Sequence, residues 1–152
     1  MVSSAISVTC FKSALNKTDE ANTSKTLYSL GHSYEKILDT RLRLGLSGLN
    51  KHLFSYNLCL RKFCDHCYGN KIEDTAHYLL KCSRYTTPRF TLLLNVKHII
   101  CPDINITLLR DLCPTCLIKI LIEGSNDLST VMNQDLFTHV FKFIMSTHRF
   151  IR

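Results

Sequence analysis

Four residues with metal-donor chemistry stand close together in mid-chain: Cys64, Cys67, His77 and Cys82, a C-x2-C-x9-H-x4-C pattern. Three thiolates and one imidazole form a tetrahedral ligand set suited to Zn²⁺. The two-residue gap in Cys64-Asp65-His66-Cys67 lets both sulfurs reach one ion, and the second pair returns after a loop short enough to stay local. Such a set leaves no open position for water or substrate, so the ion it implies is single and structural rather than catalytic. The competing readings are chance clustering of buried cysteines and a CxxC redox pair. A redox pair normally sits beside a βαβ pattern, which this sequence lacks, and it leaves His77 and Cys82 without a role. His66 is a conceivable substitute ligand, but its place between the two cysteines strains the chelate, and it is expected to be exposed. A second CxxC, Cys113 to Cys116, has Cys101 and His98 upstream, yet its apolar surroundings favour buried thiols over a metal. Cys10 and Cys59 carry no motif.

The elements that must position these donors follow from periodicity. Residues 1–32 are rich in Ser, Thr, Asn and Lys and read as a flexible leader. Order is expected from Tyr34, where Tyr34, Ile37, Leu38 and Leu42 share a helical face and Asp39 can pair with Arg43. Gly45 ends that helix. Ser47 is the expected N-cap of a second helix with a ridge of Leu49, Leu53, Tyr56 and Leu60, and the two helices should form a hairpin. Gly69-Asn70 supplies the turn that brings the chain back, since both tolerate positive φ. Glu73 and Asp74 then favour a helix N-terminus, with Ala76, Leu79 and Leu80 facing inward and His77 projecting from the first turn. Positions five apart lie off-face in an α-helix, so Cys82 is expected at a frayed end that bends back to the metal.

Downstream, a helix over Arg84 to Ile100 is entered through Pro88, carries Phe90, Leu92, Leu93, Leu94 and Val96, and is closed by Pro102. Ile106 to Ile122 suggests one or two buried helices broken at Pro114, and Gly124 to Asp127 a loop. From about Gln134 to Phe150, Leu136, Phe137, Val140, Phe141, Phe143, Ile144 and Met145 form a broad apolar face, either core or a partner-binding helix. The class expected is mainly α: a small helical domain stapled by one Cys3His zinc knuckle, with a leader over 1–32, a helical hairpin plus knuckle over 33–100, and C-terminal helices over 101–152 packed on the same domain.

Composition bounds the function. The 152 residues are 45% hydrophobic and 20% charged, enough for one ordinary core. Met1 to Phe11 lacks the basic start and apolar run of a signal peptide, and no apolar run approaches a membrane span. The expectation is an intracellular protein, nuclear or cytoplasmic, whose reduced cysteines favour metal over disulfide. The formal charge of +7 is local: from Lys36 to Lys97 stand eleven bases and four acids, while the residues on either side balance to zero. The excess surrounds the metal motif, as on a surface facing phosphates; a solvated basic face offsetting the negative Zn(Cys)3(His) centre is the plainer alternative. Phe54, Tyr56, Phe63, Tyr68, Tyr78 and Tyr85 interleave with those bases as stacking platforms do. Phe63 and Tyr78 suit the core better, and Tyr68 at the knuckle tip is the best stacking candidate. No Gly-rich phosphate loop, G-x-S-x-G, H-E-x-x-H or acidic pair for catalytic Mg²⁺ is present, so no enzyme is expected.

The run Arg41 to Leu58, followed by FCDHC, IEDTAHYLLKCSRY and the late THRF, resembles the zinc-binding carboxyl-terminal region of non-LTR (LINE-type) retrotransposon reverse transcriptases. The matching positions are Arg41, Arg43, Gly45, Leu49, Asn50, His52 and Leu53, then Cys64, Cys67, Glu73, His77 and Cys82. The resemblance implies a nucleic-acid-binding tail that helps a polymerase engage RNA or DNA, without polymerase activity of its own. The residues expected to touch nucleic acid are Arg41, Arg43, Lys51, Arg61, Lys62, Tyr68, Lys71, Lys81 and Arg84. The remaining alternatives are a structural or protein-interaction zinc module, docking the rest of a reverse transcriptase or another protein through the C-terminal helix, and a retroelement remnant without a role.

Overall fold

A computed structural model describes residues 33–100 and 114–150, and these are mainly helical. The expected leader, the Pro102 stop and the start of the second CxxC lie outside them. Helix α1 spans Ser33–Arg43. Leu38 and Leu42 are buried as its periodicity predicts, but Tyr34 and Ile37 stay exposed. The chain leaves α1 as Gly45 requires: at φ 66° its N–H reaches Leu42 O, and Leu46 N–H reaches back to Arg41 O at 2.8 Å, satisfying the last carbonyls.

Helix α2 is short, Asn50–Ser55, and differs from the expected ridge. Leu49 is fully buried just before it, whereas Tyr56 and Leu60 point into solvent. Asn57, at φ 57°, turns the chain away before another helical turn can form. Ser47 is not the N-cap; its hydroxyl lies 2.8 Å from His52 Nδ1. Capping comes from a distant residue instead: the Glu73 carboxylate accepts from Asn50 N–H at 2.8 Å, and Glu73 O accepts from Lys51 N–H.

Beyond the metal segment, α3 spans Thr86–Ile100, α4 Pro114–Glu123 and α5 Thr130–Thr147. Pro114 stands at the start of α4, where the first helical position has no N–H to satisfy, and the expected helical residues from Ile106 up to it lie outside the described residues. Ser129 caps α5 by accepting from Met132 N–H, so this helix begins earlier than its apolar pattern suggests. Helix α5 packs along α3 and against α4, and α1 against α4. Leu136, Phe137, Val140, Phe141, Phe143 and Ile144 are buried. The apolar face of this helix is core. On α3, Leu92, Leu93, Val96 and Ile100 join that core, while Phe90 and Leu94 remain outside.

Candidate metal centre

The metal segment begins with a minimal β-ladder. Cys64 N–H donates to Lys71 O at 2.7 Å and Glu73 N–H to Lys62 O at 2.9 Å, pairing Phe63 with Ile72 antiparallel. Gly69 and Asn70, at φ 79° and 51°, make the reversal the sequence calls for. Asp74 then caps the next turn, its Oδ1 accepting from His77 N–H at 2.8 Å. From His77 to Lys81 the helix widens to π geometry, and Cys82 N–H donates to His77 O at 2.7 Å, an i to i−5 bond. This replaces the expected frayed end. Widening the turn by one residue aligns ligands that an α-helix would splay.

These elements bring one donor atom from each of Cys64, Cys67, His77 and Cys82 within 4.8 Å of one another. Cys82 Sγ lies 3.8 Å from Cys64 Sγ and 3.7 Å from Cys67 Sγ, and these three thiols are free. A disulfide would hold sulfurs about 2.05 Å apart. A tetrahedron with metal–sulfur bonds of about 2.3 Å has edges of about 3.8 Å, which is the separation found. Nε2 of His77, a residue only 5% exposed, is a buried nitrogen without a hydrogen-bond partner among the described residues. An orphaned imidazole nitrogen is costly unless something coordinates it. The set fits a tetrahedral cation.

The electrostatics agree. Burial pushes the Cys64 thiol up and carries Cys82 to about 12, and burial keeps His77 in its neutral, ligating form. Cys67 is also pushed up by burial, but hydrogen bonds from the Ser83 hydroxyl and N–H outweigh this and leave it below the ordinary thiol value. The His66 and Arg84 backbone N–H groups point at Cys64 and Cys82. Thiols that resist ionisation when alone become thiolates against a divalent cation, and such N–H groups then hold their charge.

A second layer fixes the segment, and sequence reasoning missed most of it. Arg89 is buried and donates to Leu79 O at 2.9 Å, Tyr78 O at 3.4 Å and Cys82 O at 2.6 Å, satisfying carbonyls that the π-turn frees. Tyr78, fully buried, meets the rings of Tyr85 and Phe150 edge to face and that of Phe143 at a tilt, and its hydroxyl meets Thr147 Oγ1 at 2.8 Å. Only the placement of arginines and aromatics around the motif hinted at this.

Of the residues expected to touch nucleic acid, Arg41, Lys51, Arg61, Tyr68, Lys71, Lys81 and Arg84 are exposed, and Lys62 is half-buried with its ammonium 5.9 Å from the Phe63 ring centroid. Lys51 pairs with Asp74 at 3.4 Å. Arg43 is different: it pairs with buried Asp39 at 2.9 Å and donates to Ile122 O, so it ties α1 to α4. His66 is exposed, as expected, and lies 3.1 Å from Arg84 Nη1. Cys59 stays a free thiol outside the cluster, hydrogen-bonded to Asn50 O and Arg61 O. No helix among the described residues is long and apolar enough to cross a membrane. No family model, curated protein or solved structure matches the chain.

Proposed function

We propose that the chain is a zinc-stapled module that binds single-stranded or partly structured RNA or DNA, the tail of a reverse transcriptase of the non-LTR type it resembles, with no polymerase chemistry of its own. Zn²⁺ suits the three sulfurs and one imidazole better than harder cations do, because soft thiolates select it and a closed tetrahedral set needs no further ligand. Its role there is to fold the segment and to hold the surface loop in place.

The observation that carries the binding reading is Tyr68. It is 99% exposed at the tip of the metal loop, where a ring has no packing role, and Arg61 and Lys71 are exposed on the same loop. Lys81 and Arg84 flank Cys82 and are also exposed, and Arg84 Nη1 lies 3.1 Å from His66 of the metal loop. An aromatic platform among cations is the arrangement that stacks a base and tracks a phosphate backbone.

A second reading is favoured by one specific feature: Phe54, Tyr56, Leu58 and Leu60 are all exposed, with Leu60 at 96%. Such a patch suits a protein partner. The test that separates the two is charge reversal of Arg61, Lys62 and Lys81 to Glu, followed by anisotropy titration of a labelled single strand at several salt concentrations. The nucleic-acid reading expects wild-type affinity to fall steeply with salt and the reversed protein to lose binding. Binding indifferent to salt, or no binding by the wild type, overturns it in favour of the protein-docking module.

A further inference from the structure

A cleft of about 400 Å³ lies between the metal loop, the start of α2 and the end of α5, at the lower end of the sizes small-molecule sites occupy. Asp65, His66, Arg84, Tyr85, His148 and Arg149 are among its lining residues. Asp65 and Arg84 are exposed on its wall, a carboxylate and a guanidinium, and Arg84 Nη1 is steadied by His66 at 3.1 Å. Asp65 is held by Asn50 Nδ2 at 3.3 Å. The floor is neutral, because Arg149 is forked onto Glu73. Tyr85 borders the cleft with its ring buried, and its hydroxyl is not shut away from solvent without a partner. A hydroxyl at the cleft wall can donate to or accept from a ligand.

We infer that this cleft takes one unstacked nucleobase of the bound strand, with guanine preferred. A bare phosphate is disfavoured by the Asp65 carboxylate and by the neutral floor. Guanine alone among the common bases offers two adjacent N–H donors that match a carboxylate and two acceptors, O6 and N7, that match a guanidinium. Asp65 supplies the first match and Arg84 the second, leaving the Tyr85 hydroxyl for a remaining ring nitrogen or the sugar. The inference rests on the nucleic-acid reading: the exposed cations hold the strand without regard to sequence, and the cleft adds a demand at one position.

The test uses the full zinc-loaded chain and oligouridine strands that carry a single central guanine, adenine or cytosine, or none. The guanine strand is expected to bind about tenfold more tightly than the others, the scale of one good bidentate base contact. D65N should bring all strands within about twofold of one another, with the salt dependence unchanged. Y85F, which keeps the buried ring, should weaken the same preference while preserving zinc content. Equal wild-type affinity for every strand, with salt-dependent binding intact, overturns the cleft assignment and leaves the nucleic-acid reading standing. A guanine preference that survives both substitutions also overturns it. Failure to bind any strand removes the nucleic-acid reading itself.

Discussion

The guanidinium of Arg149 forks onto the carboxylate of Glu73 across 76 residues of sequence, Nε to Oε1 at 2.9 Å and Nη2 to Oε2 at 2.7 Å. Glu73 is 2% exposed and also caps α2, so one carboxylate joins the turn after α5, the metal loop and the second helix. Removing one member of a buried pair strands the other charge. R149M should therefore lower unfolding free energy by about 3 kcal/mol in urea melts of the zinc-loaded protein. E73Q should cost at least as much, because it also weakens the cap, and the double variant should cost less than the sum of the two. Strict additivity would show that the pair does not act as a unit.

Metal and fold should be lost together. Purified protein is expected to carry about one zinc equivalent, and C64S/C82S to carry none while losing helical circular dichroism over residues that include the π-turn. A chelator should do the same to the wild type, since metal binding energy in such motifs is folding energy. A metal-free chain with an undiminished helical signal would contradict the assignment.

Tyr68 and the cations around it make separable contributions. Y68A should weaken single-strand binding by about 1 to 3 kcal/mol while leaving the slope of affinity against salt unchanged. Loss of a phosphate-contacting cation such as Lys71 should instead flatten that slope by about one. The anisotropy titration reads both. A change of slope in Y68A would mean that the ring acts through the loop's shape and not by stacking.

Asp39 gives a pH dependence with a definite sign. Burial is the larger influence on its carboxyl and Arg43 offsets it only in part, raising it to about 6. An acid whose folded pKa is raised lends its full stability below the unfolded value, about 4, and that share is lost as pH climbs through about 6. Measured against D39N, the wild type should lose up to about 3 kcal/mol between about pH 4 and pH 7. Comparing the two proteins at each pH cancels the effect of acid on the thiolates. A flat difference, or a wild type that gains, would refute it.

Arg89 is the residue whose importance the sequence conceals most. It reads as one more base in a basic window, yet it is buried and donates to three carbonyls around the π-turn. What was legible was local: the ligand spacing, the stop at Gly45, the turn at Gly69-Asn70 and the apolar stripes of α3 and α5 follow from neighbours within a few positions. What was not legible depends on distant partners. Ser47 looks like the cap of α2 because capping is usually local, but Glu73 supplies it from the metal segment. The pairing of Arg43 with Asp39 was expected from its spacing, but only the fold shows that Asp39 is buried and that Arg43 also reaches Ile122 O on α4. Tyr56 and Leu60 extend a helical stripe on paper, and only the turn at Asn57 shows that no helix is there to carry it.

The wide turn from His77 to Cys82 also works as a length gauge. In an α-helix, donors four apart share a face, and donors five apart share one only where the turn is widened. The chain has thus absorbed one residue more than a regular helix would need, and the bond from Cys82 N–H to His77 O marks where. A chain one residue shorter between these ligands could offer the same pair from an ordinary α-helix. One residue longer would swing a ligand out of reach, so the ligand set tolerates shortening here and forbids lengthening.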